Sequence, residues 1–309
     1  MENEFSDKRR KRNKRRWKVI IVLLIIGPIL MFLESIFWRI DGVFDDIYEP
    51  FGADVANLRE EQGLPPLNLG EDPFSVLILG LDEGRSDSMM LAAVNPNLGT
   101  TYLLSIARDT MVDITGHGTT RINHAFAYGG IDLAVQTVQS FLNIPIDYHI
   151  SLNMEEFPAL VDAFDGVRVY NNTIAFSLGG YQFPLGYIDL TGNAAYYYVR
   201  MRMDDPRGDF GRQERQRDVL TAMVNEMVGV TAVRRYQQIL DSVSEHMRTN
   251  VSLNEMVTIS TNYMGPLRNV TNLDLRAPGS IINGMYLIPI PEDQRLEMSQ
   301  RLRTHLELD

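Results

Sequence analysis

The chain contains no cysteine among its 309 residues. A disulfide framework, a thiolate metal site and a cysteine nucleophile are therefore excluded. Histidine is also scarce, because only five are present and they are scattered without the spacing of a zinc site. No G-x-S-x-G segment occurs, so the nucleophile turn of a serine hydrolase is not indicated. A folded domain in this chain depends on its own hydrophobic core, which 45% hydrophobic residues can supply.

Lysine is absent after Lys18. The chain has 29 lysines and arginines, nine of which lie within residues 1–18, so the other twenty are all arginines. Six of them are concentrated in one segment of an otherwise acidic region: Arg200, Arg202, Arg207, Arg212, Arg215 and Arg217. Arginine is a planar, permanently charged fork that binds phosphate through two parallel hydrogen bonds. The segment therefore predicts an anion-binding site.

The first 38 residues differ in composition from the rest of the chain. Residues 1–18 carry nine basic and three acidic side chains, and Glu34 is the only charged residue within 19–38. About 20 apolar residues span a bilayer core, and the basic flank stays in the cytoplasm. We expect a single-pass protein of the cell membrane with a basic cytoplasmic tail (1–18), a transmembrane helix (19–38), an extracellular connector (39–72) and an extracellular catalytic domain (73–309). A cleaved signal peptide is the alternative, although no small-x-small cleavage site follows the apolar run.

Alternating apolar patterns predict an α/β fold. Buried-strand patterns cover residues 74–82, 89–96, 100–108, 148–152, 167–170 and 280–290. Helical periodicity covers residues 129–143, 154–164, 190–199, 212–240, 253–263 and 292–306. Such an alternation favours an α/β/α sandwich, in which one central mixed β-sheet carries helices on both faces.

Charged residues follow two of the predicted strands. Asp82 and Asp87 lie five positions apart with Arg85 between them, and carboxylates at a strand end are suited to hold Mg²⁺. The alternative is an ordinary turn, because Asp, Gly and Ser are common turn residues. Arg108 and Asp109 close a later strand, and taken alone such a pair is more typical of a surface ion pair.

The arginine-rich segment has a spacing that suits phosphate. Arg200 and Arg202 are two positions apart after a short predicted helix, so both side chains point the same way in extended chain. Arg212 and Gln216 are four positions apart and share one face of the next predicted helix. A phosphate at the start of that helix would interact with free backbone N–H groups and with the helix dipole. The alternative is a solvated helix whose arginines pair with nearby acids, namely Asp204, Asp205, Asp209 and Glu214.

Five motifs together resemble the LytR-CpsA-Psr family of membrane-anchored bacterial cell-wall proteins. In chain order they are GLDEGRSDSMM, SIARDT, RINHAFAYGG, VDAFDGV and LTGNAAYYYVRMRMDDPRGDFGRQERQ, and they cover roughly residues 74–227. The resemblance implies a phosphotransferase that moves a glycopolymer, such as wall teichoic acid or capsule, from a polyprenyl-pyrophosphate carrier to peptidoglycan. It also implies a phosphodiester product, a Mg²⁺ or Mn²⁺ ion, a membrane location and no nucleic-acid partner.

The resemblance further implies a role for each matching residue. Asp82 and Asp87 correspond to the carboxylates that hold the metal ion. The pyrophosphate clamp would consist of Arg85, Arg108, Arg200, Arg202, Arg212 and Gln216. The candidate catalytic residues are Asp82, Arg108, Asp109 and Asp209, and the base that takes the proton of the acceptor hydroxyl stays open between the three aspartates. The remaining arginines of the segment, Arg207, Arg215 and Arg217, are expected to be solvated or paired with neighbouring acids.

A long prenyl chain requires an apolar pocket. Candidate lining residues are Phe126, Phe141, Phe157, Leu160, Phe164, Tyr198, Leu220 and Met223, although helical apolar stripes usually pack into an ordinary core. Two other functions stay open at this point. One is a module that binds polyprenyl-pyrophosphate lipids without transferring them, and the other is a pyrophosphatase or phosphodiesterase that uses water as the acceptor.

Overall fold

The computed structural model describes residues 39–309 except residues 53, 54, 56, 57, 204 and 228–234. The expected cytoplasmic tail (1–18) and the expected transmembrane helix (19–38) lie outside the described residues. Within the described part of the chain, no helix is both long and apolar enough to span a bilayer. All the elements named below belong to the compact unit Ile47–Asp309.

The strands of this unit are short, apart from the first two. In chain order they are β1 (Phe74–Asp82), β2 (Arg85–Asn95), β3 (Thr100–Ser105), β4 (Met111–Ile114), β5 (Gly118–Arg121), β6 (Tyr148–Asn153), β7 (Val167–Asn171), β8 (Phe176–Leu178), β9 (Tyr181–Phe183), β10 (Gly186–Leu190), β11 (Met247–Thr249), β12 (Val270–Asp274), β13 (Ser280–Ile282) and β14 (Met285–Leu287). Six of them form a sheet in the order β11-β6-β1-β2-β3-β12. The sheet is mixed, because β1 pairs parallel with β6 and antiparallel with β2.

One helix precedes the strands, and the others lie between the strands or after them. They are α1 (Leu58–Glu61), α2 (His124–Leu142), α3 (Phe157–Ala163), α4 (Gly192–Arg200), α5 (Asp209–Met227), α6 (Tyr236–His246), α7 (Leu253–Asn262), α8 (Met264–Arg268) and α9 (Glu292–His305). The prediction of a mixed α/β fold with a central mixed sheet is therefore confirmed.

The alternating side chains of β1 define the two faces of the sheet. Leu77 and Leu79 are fully buried against α2 and α9, in one cluster with Val135 and Leu302. Val76 and Ile78 point the other way and pack in a cluster that includes Leu220 of α5. Helices thus cover both faces of the central sheet.

A third apolar cluster joins the helices that carry the arginine-rich segment. It contains Val161 of α3, Val199 of α4 and Val219 of α5, together with Val169 of β7 and Phe183 of β9. Packing of α4 and α5 against this common core fixes the end of one helix relative to the start of the other. The arginines at those two ends are thereby held at defined positions.

Several predicted boundaries differ from the structure. The predicted strand over 280–290 is wrong as one strand, because β13 and β14 form a hairpin around Asn283 and Gly284. Both turn residues have positive φ, and an Asn-Gly pair favours this tight turn, so the sequence contained the signal. The predicted helix over 212–240 corresponds to α5 and α6, with residues 228–234 between them outside the described residues. Strand β2 begins at Arg85 rather than at Met89.

Candidate active site

Five of the charged residues singled out by the sequence meet at a pocket of about 150 Å³. Strand β1 ends at this pocket, β2 begins there, and α4 and α5 contribute one end each. The lining consists of Asp82, Asp87, Ser88, Arg108, Met154, Arg200, Arg212 and Gln216. Three arginines and two aspartates give the lining an excess of one positive charge, so it favours an anionic ligand.

A tight turn places Asp82 at the edge of the pocket. Asp82 pairs with Arg85 across the β1–β2 hairpin, and Glu83 and Gly84 form the turn with φ values of 49° and 76°. Two consecutive positive φ values are the geometry that suits the right-handed twist of a hairpin. Arg85 points away to an exposed ion pair with Glu83 at 3.3 Å.

A β-bulge brings Asp87 into the same pocket. Gly80 pairs with Ser88 and Leu81 pairs with Ser86, so the pairing register skips Asp87. Consecutive side chains of a regular strand point to opposite faces, yet both Asp87 and Ser88 line the pocket. The bulge supplies the extra residue that makes this possible, as bulges beside binding sites commonly do.

Each pocket aspartate is paired with an arginine from elsewhere in the chain. Arg200 Nη2 lies 2.8 Å from Asp82 Oδ2, and Arg108 Nη1 lies 2.7 Å from Asp87 Oδ2. Asn123 is buried and donates from Nδ2 to the other oxygen of Asp87 at 3.0 Å. Sequence reasoning gave Asn123 no role, although it lies within the motif RINHAFAYGG. Both carboxylates are therefore held in fixed orientations at the pocket.

Helix α5 supplies Arg212 and Gln216 on its pocket-facing side. Arg212 Nη2 lies 2.7 Å from Asp209 Oδ1 and donates to the backbone oxygen of Asp87 at 3.4 Å. Gln216 Oε1 accepts a hydrogen bond from Ser88 Oγ at 3.1 Å. Burial lowers the pKa of Arg212; Asp209 counteracts this, whereas Arg108 lowers that pKa further. Several cations thus lie close together here, an arrangement that an anionic ligand would stabilise.

Four of the predicted site residues do not line the pocket. Arg85 forms the exposed ion pair described above, and Arg202 is exposed. Asp109 lies 3.2 Å from Arg121 Nε and 3.9 Å from Arg108 Nε, whereas Asp209 pairs with Arg212. The structure therefore brings six predicted site residues together at the pocket: Asp82, Asp87, Arg108, Arg200, Arg212 and Gln216. The other four, Arg85, Arg202, Asp109 and Asp209, lie outside the pocket lining.

Two pocket residues were missed by sequence reasoning. Ser88 directly follows Asp87, and in a regular strand the two side chains would point to opposite faces. Ser88 reaches the pocket together with Asp87 because of the bulge, which the motif does not reveal. Met154 follows β6, and its backbone N–H donates to Leu81 O at 2.8 Å. Because β6 is parallel to β1, this residue arrives beside the end of β1. The pairing of β6 with β1 places Met154 at the pocket, and this pairing cannot be inferred from the sequence motifs.

The pocket has a donor set that fits a divalent cation bound together with phosphate. Asp82 and Asp87 are its two carboxylates. Among the described residues, no group of three or more acidic or histidine side chains is positioned to hold a metal ion by itself. Mg²⁺ commonly takes one or two carboxylates and completes its coordination with substrate phosphates and water. The residues present match that pattern rather than an all-protein cage.

Two other arginines of the segment, Arg215 and Arg217, are packed into the protein, and Arg207 is partly exposed. Arg215 is 1% exposed, donates from Nη1 to Asp205 Oδ2 at 2.7 Å and also donates to the backbone oxygens of Tyr198 and Met201. Arg207 bonds to Asp205 and Glu214. Arg217 is also buried and donates to Ser105. The expectation of acidic partners is correct for Arg207 and Arg215, and the alternative of solvation is wrong for Arg215 and Arg217, because tertiary packing covers both.

The candidate prenyl-pocket residues are distributed over three packed clusters. Leu220 packs with the second face of the sheet, and Phe126 and Phe141 pack with the first. The others lie in the cluster of α3, α4 and α5, namely Phe157, Leu160, Phe164, Tyr198 and Met223. None of these eight residues lines the pocket described above. They form core in this structure, as apolar helical stripes usually do.

Comparison with known proteins identifies the class to which this fold and pocket belong. The model of the LytR_cpsA_psr family matches residues 53–304, so the chain belongs to the LytR-CpsA-Psr family. A curated relative from Halalkalibacterium halodurans, polyisoprenyl-teichoic acid–peptidoglycan teichoic acid transferase TagU, is 38% identical and is aligned over 94% of this chain and 98% of its own length.

Two solved structures of similar proteins support the same assignment. The crystal structure of Bacillus subtilis TagU is 36% identical, has a TM-score of 0.64 and covers 76% of this chain and 97% of its own. The structure of TagT bound to LIIa-WTA is 29% identical, has a TM-score of 0.69 and covers 80% of this chain and 95% of its own. The resemblance inferred from the sequence motifs is therefore confirmed.

Proposed function

We propose that this protein transfers a teichoic acid or related glycopolymer from a polyprenyl-pyrophosphate carrier to peptidoglycan. The observation that carries the proposal is the pocket in which Asp82 and Asp87 meet Arg108, Arg200 and Arg212. Relatives that align over nearly the whole chain are named as teichoic acid transferases acting on polyisoprenyl-linked polymer and peptidoglycan.

In this reaction a hydroxyl of the peptidoglycan glycan attacks the phosphorus that carries the polymer. A new P–O bond forms to the acceptor, and the bond from that phosphorus to the bridging pyrophosphate oxygen breaks. The electron pair leaves with polyprenyl monophosphate, and the hydroxyl proton passes to a base. The product is a phosphodiester between polymer and peptidoglycan.

The arginines would carry most of the catalytic effect. Phosphoryl transfer proceeds through a loose transition state, so positioning and charge stabilisation dominate over covalent participation by the protein. Arg108, Arg200 and Arg212 lie at one pocket and can neutralise the oxygens of a pyrophosphate. Gln216 and Ser88, which bond to each other, are placed to contact the same group.

Asp82 and Asp87 are the residues that would hold Mg²⁺ or Mn²⁺. A cation bound there supplies positive charge to the pyrophosphate that the single excess charge of the lining does not provide. All three aspartates considered as the base pair with arginines, and of the three Asp82 alone lines the pocket. Its position therefore favours Asp82 as the proton acceptor, although a cation bound to the same carboxylate would lower its basicity.

We also propose that the enzyme is a single-pass protein of the cell membrane. In this arrangement residues 1–18 lie in the cytoplasm, residues 19–38 cross the bilayer and the catalytic unit lies outside the cell. The nine lysines and arginines of residues 1–18, which directly precede the apolar run, support this orientation. External protease added to intact cells would then remove a C-terminal tag, and a tag protected until the cells are lysed would contradict the topology.

A reconstituted transfer reaction tests the function. The full-length protein is incubated with radiolabelled lipid-linked polymer, peptidoglycan and Mg²⁺, and label in the insoluble glycan is measured. We expect transfer that is lost with a chelator and restored by Mg²⁺ or Mn²⁺. Release of free phosphorylated polymer would identify a hydrolase instead, and retention of unreacted lipid in a stable complex would identify a binding module.

A further inference from the structure

A tyrosine one turn earlier in α4 contacts the pocket arginine at the end of that helix. Arg200 Nη1 donates to the hydroxyl of Tyr196 at 2.7 Å, and the guanidinium carbon lies 4.8 Å from the centre of the Tyr196 ring. Nη2 of the same arginine faces Asp82. We propose that Tyr196 is a positioning residue that holds Arg200 ready to bind pyrophosphate, an inference that rests on the function proposed above.

Arg200 needs such support more than the other pocket arginines do. Its side chain is 40% exposed, compared with 26% for Arg108 and 11% for Arg212. It is the last residue of α4, and the backbone becomes extended at Met201. A long, exposed arginine loses rotamer freedom when it binds a ligand, and a preformed contact reduces that loss.

The contact with Tyr196 does not depend on what Asp82 binds. Asp82 is one of the two carboxylates that would hold a cation, and a cation competes with Arg200 for its oxygens. Tyr196 does not line the pocket and is not one of the proposed cation ligands, so it can keep the guanidinium in place during that exchange. The phenol engages one edge of the fork through a hydrogen bond and the ring face, which leaves other N–H groups for phosphate.

The neighbouring tyrosine provides a matched control. Tyr196 and Arg200 are four positions apart, so their side chains meet on one helix face. Tyr197 is partly buried like Tyr196, but its ring lies 5.8 Å from Tyr181 and would collide with any side chain at Gly179. It touches the Tyr196 ring at 5.5 Å and packs in the same apolar cluster. Loss of packing is thus matched between the two positions, whereas the hydrogen bond from Arg200 goes to Tyr196.

Binding of inorganic pyrophosphate to the full-length protein, measured by calorimetry with Mg²⁺ present, tests the proposal. We expect Tyr196→Leu to weaken binding about five- to tenfold, because it removes one hydrogen bond and one cation–π contact. Tyr196→Phe keeps the ring and should weaken binding about threefold or less. Tyr197→Leu should bind as the wild type does. In the transfer assay, Tyr196→Leu should raise KM for the lipid by a similar factor and change kcat by less than about twofold.

A double-mutant cycle decides whether Tyr196 acts through Arg200. In an Arg200→Ala background, Tyr196→Leu should cause no further loss of affinity. Equal losses in both backgrounds, an unchanged affinity of Tyr196→Leu, or the same loss in Tyr197→Leu would overturn the proposal. If Tyr196→Leu fails to fold, Tyr196→Phe in both backgrounds gives the same decision. A wild type that binds pyrophosphate but transfers no polymer would refute the proposed function, and the cycle would still decide the role of Tyr196.

Discussion

Two arginines of helix α5, Arg212 and Arg215, have different surroundings although they are close in sequence. Arg212 lines the pocket, and Arg215 is buried inside the protein. Arg215 donates from all three of its nitrogens to protein acceptors and is fully covered. Arg212 lies three positions earlier, and its Nε has no hydrogen-bond partner. A buried cation with an unused donor favours an added anion, whereas a fully bonded one does not. For this pair, the fully bonded arginine is structural and the incompletely bonded one lines the pocket. Position at the pocket is decisive as well, because the Nε of the buried Arg217 is also unbonded among the described residues although Arg217 lies outside the lining.

The acid bound by Arg207 and Arg215 is also fully bonded. Asp205 is 1% exposed and accepts hydrogen bonds from Arg207 and Arg215. Burial opposes its ionisation, but these hydrogen bonds outweigh burial and lower its pKa to about 2. Arg207, Asp205 and Arg215 therefore form a closed network, in which Asp205 and Arg215 are fully bonded within the protein. The pocket charges form an open network, because donors such as Arg212 Nε have no partner in the described part of the chain.

Removal of Arg212 from the open network should have the largest effect on transfer activity. Arg212→Ala is expected to reduce transfer about a thousandfold, roughly 4 kcal/mol of transition-state stabilisation, because a charge that faces the reacting phosphate is lost. The melting temperature should fall only slightly. Transfer at the wild-type rate by Arg212→Ala, measured with labelled lipid-linked polymer, would remove Arg212 from the site. Arg200→Ala is expected to behave in the same way.

Removal of Arg215 from the closed network should lower the stability of the fold instead. Arg215→Met removes one of the two arginine partners of the buried Asp205, which costs about 3 kcal/mol of unfolding free energy. Urea denaturation of the full-length protein in detergent measures the loss. Arg217→Met serves as a comparison, since its ion pair with Asp274 is longer, at 3.5 Å, and Asp274 is 42% exposed. Equal stability of Arg215→Met and the wild type would contradict the closed network.

The close approach of α5 to the closed network gives a smaller effect. A Cβ atom at Gly211 would lie 1.8 Å from Asp205 Oδ2, so Gly211→Ala must displace the carboxylate that Arg207 and Arg215 bind. We expect a loss of about 2 kcal/mol, typical of overpacking. Gly265→Ala is the control, because nothing lies within 4 Å of its added Cβ. A denaturation midpoint unchanged by Gly211→Ala would show that Asp205 can move freely.

The pH dependence of stability gives the smallest expected effect. Burial, reinforced by Glu214, raises the pKa of Asp218 to about 6 from an ordinary value of 3.8. Its ionised form is therefore disfavoured in the folded state, and stability is lost as the pH rises through 6. Asp218→Asn should stabilise the protein by about 1 kcal/mol at pH 8, after allowance for solvent screening, and by almost nothing at pH 4. Equal melting-temperature shifts at both pH values would contradict the raised pKa.

Much of the sheet could be predicted from sequence because its central strands are apolar runs. The pattern over 74–82 coincides with β1, and the patterns for β6 and β7 lie within one residue of those strands. Strands β11 and β12 were missed, because MRT and VTNLD are short and carry no clear alternation. Their pairing with β6 and β3 is a tertiary effect, so local propensity does not reveal it.

The sequence motifs identified several pocket residues, but they did not predict the positions that depend on the pairing register of the strands. Asp82, Arg108 and Arg212 follow from the motifs. The position of Asp87 depends on a bulge, which exists only in the pairing of β1 with β2. The burial of Arg215 depends on contacts with Tyr198 and Met201, and its sequence neighbours resemble those of an exposed helix. Site identity and site geometry thus come from different kinds of information.

The pocket is assembled from residues that are far apart in the chain, from Asp82 to Gln216. An unfolded chain separates the two carboxylates from the arginines of α4 and α5, so only the native state can bind the pyrophosphate. By mass action, a ligand at about a hundred times its Kd then adds roughly 2.7 kcal/mol to the unfolding free energy. The lipid-linked polymer would in this way protect the enzyme that consumes it, and the enzyme would survive longest where its substrate is abundant.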